Sequence, residues 1–574
     1  MLARVLVLAA LPYALAAKSW QTGSSFAGST STAAFPPQIT DSAEASLFPD
    51  ASEVGFAGPT PTGDEPEVIA TAPVAAQKTD TYPLTQPQAL FGNTEKVSSS
   101  FNPLRYWGNL SPWFSVDSAA NGLPHASPQI PDGCELTQVH MVQRHGARYP
   151  AAGDPPSEFA AALFGAANST GFSVSGPLDF LNTWTYKLGA ELLTPFGRQQ
   201  LFDLGVSFRI KYGSLMKKFT NVPVFRTTSE ARMVDSAVSF AAGFFGLQDY
   251  QKSYELSINI EASNINSTLA PWNNCPNANG DLYNLGFDAA ANWTAIYLKD
   301  ASKRLQKYVK GLELTPELAY AMQNLCAFET VSLGYSEFCG LFTEEEWKGF
   351  EYALGEPIQC GSHNVDVDEC VDLIFWYSAG PGNPVTAAEG IGYVQELVAR
   401  LTNTPITDFD TNTNSTLDGN NVTFPLDQPI FFDFTHDTVI AAIITAMNFT
   451  SFAAAGPLPI THIQKDQSYF VPHIAPFAAN MVGQVLECPV SAKSTNKTAY
   501  MRWILNDGVV PLTGIEPCAA HANKDGLCPL DSFIQGMQDL IAAENWTFDC
   551  LANYTVGVPN NLVDGKFHPQ PGEN

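Results

Sequence analysis

The chain has 574 residues, in which 57 acidic side chains outnumber 29 basic ones to leave a formal net charge of −28. That balance disfavours nucleic acid and anionic membrane as partners, since both require basic faces. It leaves the character of any local pocket open.

The opening "MLARVLVLAALPYALAAKSW" combines one arginine, an apolar run and the small-residue trio Ala14-Leu15-Ala16. This predicts a secretory signal peptide over 1–17, too short to span a bilayer. No other apolar run reaches membrane-spanning length, and the polar "GKFHPQPGEN" carries no lipid-anchor tail signal, so a secreted protein without a membrane partner is expected. Retention at a cell wall and the oligomeric state are left open. Ten cysteines, none spaced C-x-x-C, point to disulfides in an oxidising compartment. Ten N-x-S/T sequons, at Asn109, Asn168, Asn266, Asn292, Asn414, Asn421, Asn448, Asn496, Asn545 and Asn553, offer glycan sites. Asn109 is set apart because Pro112 follows its sequon.

Residues 18–100 are rich in Ala, Ser, Thr, Pro and Gly, as in "FAGPTPTGDEPEV", and bury too little apolar surface to offset ordering entropy. A disordered leader is expected there, with residues 101–574 forming the folded unit. Within that unit the first predicted element is a strand, "LTQVHMVQ" from Leu136, which runs into "RHGARYP". Thr194 and Pro195 of "LTPFGRQQL" stand at N-cap and N1 of a helix. A second strand is read over Val222 to Phe225, ending at Arg226, with Ser229 placed to cap the next helix. Met233, Ala237, Phe240 and Phe244 then mark one face of that helix. The third strand, Ile430 to Phe434, leads through His436 and Asp437 into an apolar helix over Val439 to Met447. Strand-turn-helix units with charged residues at the strand ends predict an α/β sheet whose carboxyl edge holds the site. A helix-rich second lobe is expected at about 166–400.

The chemistry concentrates in "RHGARYP", where His145 lies between Arg144 and Arg148. An imidazole is a nucleophile only when neutral, and neighbouring guanidinium groups disfavour its protonation. Such a setting suits attack on phosphorus. Arginine forks match phosphate oxygens two at a time and stabilise the charge gathering there in the transition state. Gly146 is expected to let backbone approach an anion, and Pro150 to stiffen the exit of the turn. His140, inside the apolar strand, reads as a structural core histidine.

"RHGARYP" resembles the signature of the histidine acid phosphatases, the branch that includes fungal phytases. The resemblance extends through "FNPLRYWGNLSPWF", "LTPFGRQQL", "FRTTSEARMVDSA", "FCGLFTEEEW" and "FTHDTVI", from Phe101 to about Cys550. It implies a phosphoglycerate-mutase-like α/β domain with a mainly helical lobe and no cofactor. It also implies His145 as nucleophile, Arg144, Arg148, Arg226 and His436 as phosphate ligands, and Asp437 as the acid that protonates the leaving oxygen. Arg232 and Asp235 are read as helix-surface or structural residues. By the same resemblance Cys134 pairs with Cys488, Cys275 with Cys550, Cys326 with Cys339 and Cys518 with Cys528. Cys360 and Cys370 are left to close a local loop.

Two acidic stretches, "HNVDVDEC" at 363–370 and "DFDTNTNSTLDG" from Asp408, were weighed as metal loops. The second has Thr413 where a calcium loop needs glycine and Gly419 where it needs glutamate, and no metal is assigned. The expected function is a secreted acid phosphatase acting on phosphate monoesters, with phytase as the alternative. A non-catalytic glycosylated surface protein is the rival of another class, but it should have lost a catalytic residue. Related phytases often carry lysines just after the nucleophile motif; here 151–168 has no Lys or Arg but holds Asp154 and Glu158. That favours simple esters over phytate. An acidic optimum, about pH 2.5 to 6, follows from a neutral histidine working with a protonated carboxyl group.

Overall fold

The computed structural model describes residues 101–568, except 152, 170, 354–372 and 490–495. The signal peptide, the leader and the Cys360–Cys370 loop with its acidic stretch therefore lie outside the described residues.

The main sheet has eight strands: β1 (Glu135–Arg144), β2 (Val224–Thr228), β3 (Glu255–Asn259), β4 (Ile430–Thr435), β5 (Asn480–Pro489), β6 (Lys497–Leu505), β7 (Gly508–Val510) and β8 (Cys528–Pro529). Their order is β8-β6-β5-β1-β4-β2-β3, with β7 on β6. β1, β4, β2 and β3 run parallel, and β5 joins β1 antiparallel to start the other half. β4 and the second half of β1 are buried on both faces, which is why "VHMV" and "IFF" read as nearly continuous apolar runs, whereas the edge strand β3 is only partly buried. Parallel pairing also brings their carboxyl ends to one edge. Arg144 lies opposite Thr435 in the register, so the loops that follow β1 and β4 leave the sheet side by side.

The longer helices are α1 (Pro155–Asn168), α2 (Pro195–Tyr212), α3 (Ala231–Phe245), α4 (Leu285–Tyr297), α5 (Pro316–Leu333), α6 (Glu344–Ala353), α7 (Thr386–Thr402), α8 (Asp437–Ala446) and α9 (Leu530–Ala543). Helices α2 and α3 cover one face of the sheet, joining Leu201, Phe208, Met233, Phe240 and Phe244 to Phe225, Phe432 and Phe434 in one apolar cluster. Two glycines set their spacing. A Cβ on Gly205 would run into the Phe240 carbonyl, and one on Gly243 into that of Phe202. Thr194 caps α2 as expected, its hydroxyl accepting the Gly197 N–H at 3.0 Å.

The helix-rich lobe expected at about 166–400 is not a continuous segment. β2 and β3 fall inside that range and belong to the main sheet, as do their covering helices α2 and α3. Helices α4 to α7 supply most of its described part, together with a short strand at Val309–Lys310 that pairs with Ser173–Val174 outside the main sheet. The four disulfides formed, Cys134–Cys488, Cys275–Cys550, Cys326–Cys339 and Cys518–Cys528, are those the resemblance implied. Among the described residues no helix is long and apolar enough to cross a membrane.

Candidate active site

β1 ends at Arg144, and the next four residues form a turn held from three sides. The His145 N–H donates to Thr435 O at 3.3 Å, tying the turn to the end of β4. The Gly146 N–H donates to Ser236 Oγ of α3 at 3.2 Å, and the Ala147 N–H to Gln200 Oε1 of α2 at 2.9 Å. Gly146 is required for a reason other than the one expected from sequence. A Cβ there would strike the Gly197 carbonyl, and a Cβ on Gly197 would strike that of Ala147. The glycine pair lets the first turn of α2 press against the nucleophile loop, rather than admitting an anion to the Gly146 backbone.

His145 is fully buried. Its Nδ1 lies 2.8 Å from Gly146 O. A carbonyl oxygen only accepts, so in the neutral ring Nδ1 carries the hydrogen and Nε2 the lone pair. This bond fixes the tautomer that a nucleophile needs. His436, the N-cap of α8, meets His145 edge to face with ring centroids 6.0 Å apart. Its Nε2 is 3.0 Å from Glu261 Oε1, and Trp272 packs against its ring. Asp437 opens α8 and is bound through Oδ2 by Arg144, at 2.6 Å, and by Asn109 Nδ2, at 2.8 Å. The Arg144 guanidinium also donates to the carbonyls of Asn109 and Ala475 and lies over the Phe477 ring. Arg148, three residues beyond the histidine, is buried and donates to Tyr149 O at 2.9 Å.

Five of the six residues expected from sequence therefore gather at this edge. The sixth does not. β2 runs on to Thr228, two residues past the predicted end, so Arg226 lies inside the sheet opposite Asp433. There Nε donates to Asp433 at 2.6 Å, and the two terminal nitrogens donate to Glu396 at 2.9 and 2.5 Å. Asp418 approaches at 3.5 Å, and Arg400 grips Asp433 from the far side at 2.5 Å. The guanidinium is saturated by carboxylates one layer beneath the edge, which corrects its reading as a phosphate ligand.

Arg232 also departs from its reading. It is buried, not on the helix surface, and lies one turn before Ser236, whose hydroxyl meets Gly146. Side chains four apart share a helix face, so Arg232 projects toward the nucleophile loop. Its guanidinium contacts Glu230 at 2.5 Å. Asp235 is a surface residue paired with Arg198, as expected. His140 is also the core residue anticipated: it stacks on Phe431 at 4.8 Å, and burial, reinforced by Arg400, lowers its pKa to about 3.

The sequence reading gives Asn109, Glu230, Glu261 and Arg232 no part in the catalytic site, Asn109 being read as a glycan candidate set apart by Pro112 and Arg232 as a helix-surface or structural residue. Asn109 and Arg232 sit in stretches already singled out, "RYWGNLSPWF" and "SEARMVDSA", and the helix is capped at Glu230, one residue after the expected Ser229. Asn109 is wholly buried against Asp437, which removes it from the glycan candidates. Of the other sequons, Asn168, Asn292, Asn421, Asn496, Asn545 and Asn553 are exposed, while Asn266, Asn414 and Asn448 are half-buried.

Among the described residues, Glu230, Glu261 and His436 have ligand atoms within 4.8 Å of one another, a spacing that fits a metal ion. Arg232 already supplies a cation to Glu230 there, and the His436 imidazole is bonded to Glu261. The acidic loop from Asp408 is used otherwise. Its Asp418 turns inward to Arg226 and accepts the Asn414 N–H at 2.6 Å.

The family model described as histidine phosphatase superfamily (branch 2) matches residues 135–506. Phytase A of Aspergillus oryzae is 32% identical over 488 residues, which cover 82% of this chain and 96% of that protein. Phytase A of Emericella nidulans is 32% identical over 459 residues, 78% of this chain and 90% of the relative. The crystal structure of the phytase from D. castellii superposes with a TM-score of 0.61 at 24% identity, covering 80% of this chain and 90% of that one.

Proposed function

Because the chain belongs to branch 2 of the histidine phosphatase superfamily, and is thereby a phosphoric monoester hydrolase, we propose that it works through a phosphohistidine at His145. Nε2 of His145 attacks phosphorus, forming a P–N bond while the P–O bond to the leaving group breaks. Asp437 gives its proton to the departing oxygen, which is a poor leaving group as an alkoxide. Water then attacks phosphorus, the P–N bond breaks, and Asp437 takes the water's proton. Arg144, Arg148 and Arg232 hold the non-bridging oxygens, with His436 as a further donor. The imidazolium charge that develops on His145 is stabilised by its Nδ1–H bond to Gly146 O.

The observation that carries this reading is the meeting of two strand ends. His145 after β1 and His436-Asp437 after β4 lie within one buried cluster, and Arg144 joins them by its contact with Asp437. When phosphate arrives it competes for the same guanidinium. Asp437 is then held chiefly by Asn109, within reach of the leaving oxygen.

The relatives named Phytase A favour inositol hexakisphosphate among the substrates. The segment after the nucleophile motif, 151–168, argues that simpler esters are also turned over, since it brings no cation to the site. Four disulfides support export to an oxidising compartment. The test is to quench the enzyme in turnover and look for base-stable, acid-labile phosphate on His145. His145→Ala should carry none and release no phosphate from p-nitrophenyl phosphate or inositol hexakisphosphate. Full activity in that variant would overturn the assignment.

A further inference from the structure

We propose that Glu230 is a specificity-determining residue, whose carboxylate occupies Arg232 in the resting site so that a phosphate group binds only by displacing it. This rests on the reading of the site given above.

Glu230 stands at the N-cap of α3, where an acidic side chain ordinarily accepts the exposed N–H groups of the first turn. Here its carboxylate makes no such bond. It is directed to the Arg232 guanidinium at 2.5 Å, with both side chains buried. The same carboxylate lies among the ligand atoms of Glu261 and His436, within the 4.8 Å cluster. Since His436 abuts His145, Glu230 is at the phosphate site and not on its rim.

The consequence is electrostatic. Arg144 and Arg232 are in ion-pair contact with Asp437 and Glu230, and Glu261 lies beside His436. A phosphate dianion that uses Arg232 must take it from a carboxylate already in ion-pair contact. An anion a few ångströms from the incoming phosphate opposes binding in proportion to the ligand's charge. The penalty is therefore smallest for a simple monoester and largest for a polyphosphorylated ring whose neighbouring groups also feel the carboxylate.

The experiment compares wild type with Glu230→Gln, which keeps the side chain's size and its capacity to bond Arg232 but removes the charge. KM and kcat are measured for p-nitrophenyl phosphate and inositol hexakisphosphate at fixed pH and ionic strength. Affinity for inorganic phosphate is measured by calorimetry, which needs no turnover. We expect KM and the phosphate Kd to fall by roughly tenfold to a hundredfold, more for inositol hexakisphosphate than for the aryl ester, with kcat not raised. Unchanged or weakened phosphate affinity would overturn the proposal, because a carboxylate that merely orients Arg232 gives that sign. Glu230→Ser serves as a second charge-removing variant, and Glu230→Asp should restore the wild-type preference. Failure of both uncharged variants to fold would also overturn it, by making Glu230 a structural residue. Loss of the phosphohistidine reading would show instead as turnover that survives His145→Ala, whatever calorimetry reports for Glu230.

Discussion

Removing Arg226 or Arg232 should damage the protein in different currencies, and the structure sets the size of each effect. Arg226 binds Asp433 and Glu396 in a cage shared with Arg400 and Asp418, and both guanidinium groups lie against the Phe424 ring. Burial and the nearby Glu396 push Asp418 up to about 8. Asp433 is held below the usual carboxylate range by Arg226 and Arg400, even though burial alone would raise it. Arg226→Ala leaves one buried carboxylate without a partner, at a cost of about 3–5 kcal/mol. With an unfolding entropy of roughly 2.1 cal/mol/K per residue, that corresponds to about 3–5 °C in Tm for a body of this length. KM of the folded fraction should not change. Arg232→Ala instead removes a charge-assisted bond to phosphate, about 2–3 kcal/mol, and should raise KM and the phosphate Kd by about 30- to 150-fold. Differential scanning calorimetry and steady-state kinetics on the two variants decide the matter. A rise in KM for Arg226→Ala with an unaltered Tm would refute the reasoning and return Arg226 to the phosphate site.

Asp437→Asn should slow hydrolysis of alkyl phosphates by about 10² to 10⁴, and of p-nitrophenyl phosphate far less, because only the basic leaving group needs the proton; equal losses on both would make Asp437 a binding residue. Gly197→Ala should lower kcat by about a hundredfold or more, since its methyl meets the Ala147 carbonyl and must shift the nucleophile loop; a near-wild-type kcat would show that the loop accommodates it. Glu389, on α7, is raised by burial from 4.5 to about 8. With its folded pKa above the unfolded one, its contribution is fully present below about pH 4.5 and is lost as pH rises to about 8. The loss is up to about 5 kcal/mol. Glu389→Gln should therefore flatten Tm between pH 4.5 and 8, and an equally steep profile in the variant would assign the slope to other groups.

The fold was legible wherever periodicity and chemistry coincided. β1, β4, α2, α3 and α8 all lie within two residues of their predicted positions, because each couples an apolar run to a capping or turn signal. The failure at β2 has a local cause. "VPVFRTTSEAR" has a charged residue after an apolar run, a pattern that predicts a strand end. Parallel strands buried on both faces tolerate an interior arginine when partners lie alongside, and Asp433, Glu396 and Asp418 are 170 or more residues away in sequence. No window of the chain displays that cage. The roles of Asn109 and Glu261 were hidden for the same reason: each acts on the His436-Asp437 pair across more than 170 positions.

The two layers of charge beneath and at the sheet edge explain why such a site can be fully buried. An unpaired ion inside a protein is costly, whereas one met by an opposite charge and good hydrogen bonds is tolerated. In the lower layer Arg226 and Arg400 both pair with Asp433, Arg226 also pairs with Glu396, and burial pushes the Asp418 pKa up to about 8. That layer clamps β2, β4 and α7 together without reference to any ligand. In the upper layer the carboxylates Asp437 and Glu230 hold Arg144 and Arg232, and on the proposed mechanism phosphate takes over those contacts. The lower layer is therefore fixed and the upper one exchangeable, even though both are built from the same residue types. An arginine's role here follows from what its carboxylate partners are tied to: Asp433 is gripped by two arginines at once, whereas Glu230 meets Arg232 beside the His436 and Glu261 side chains of the site.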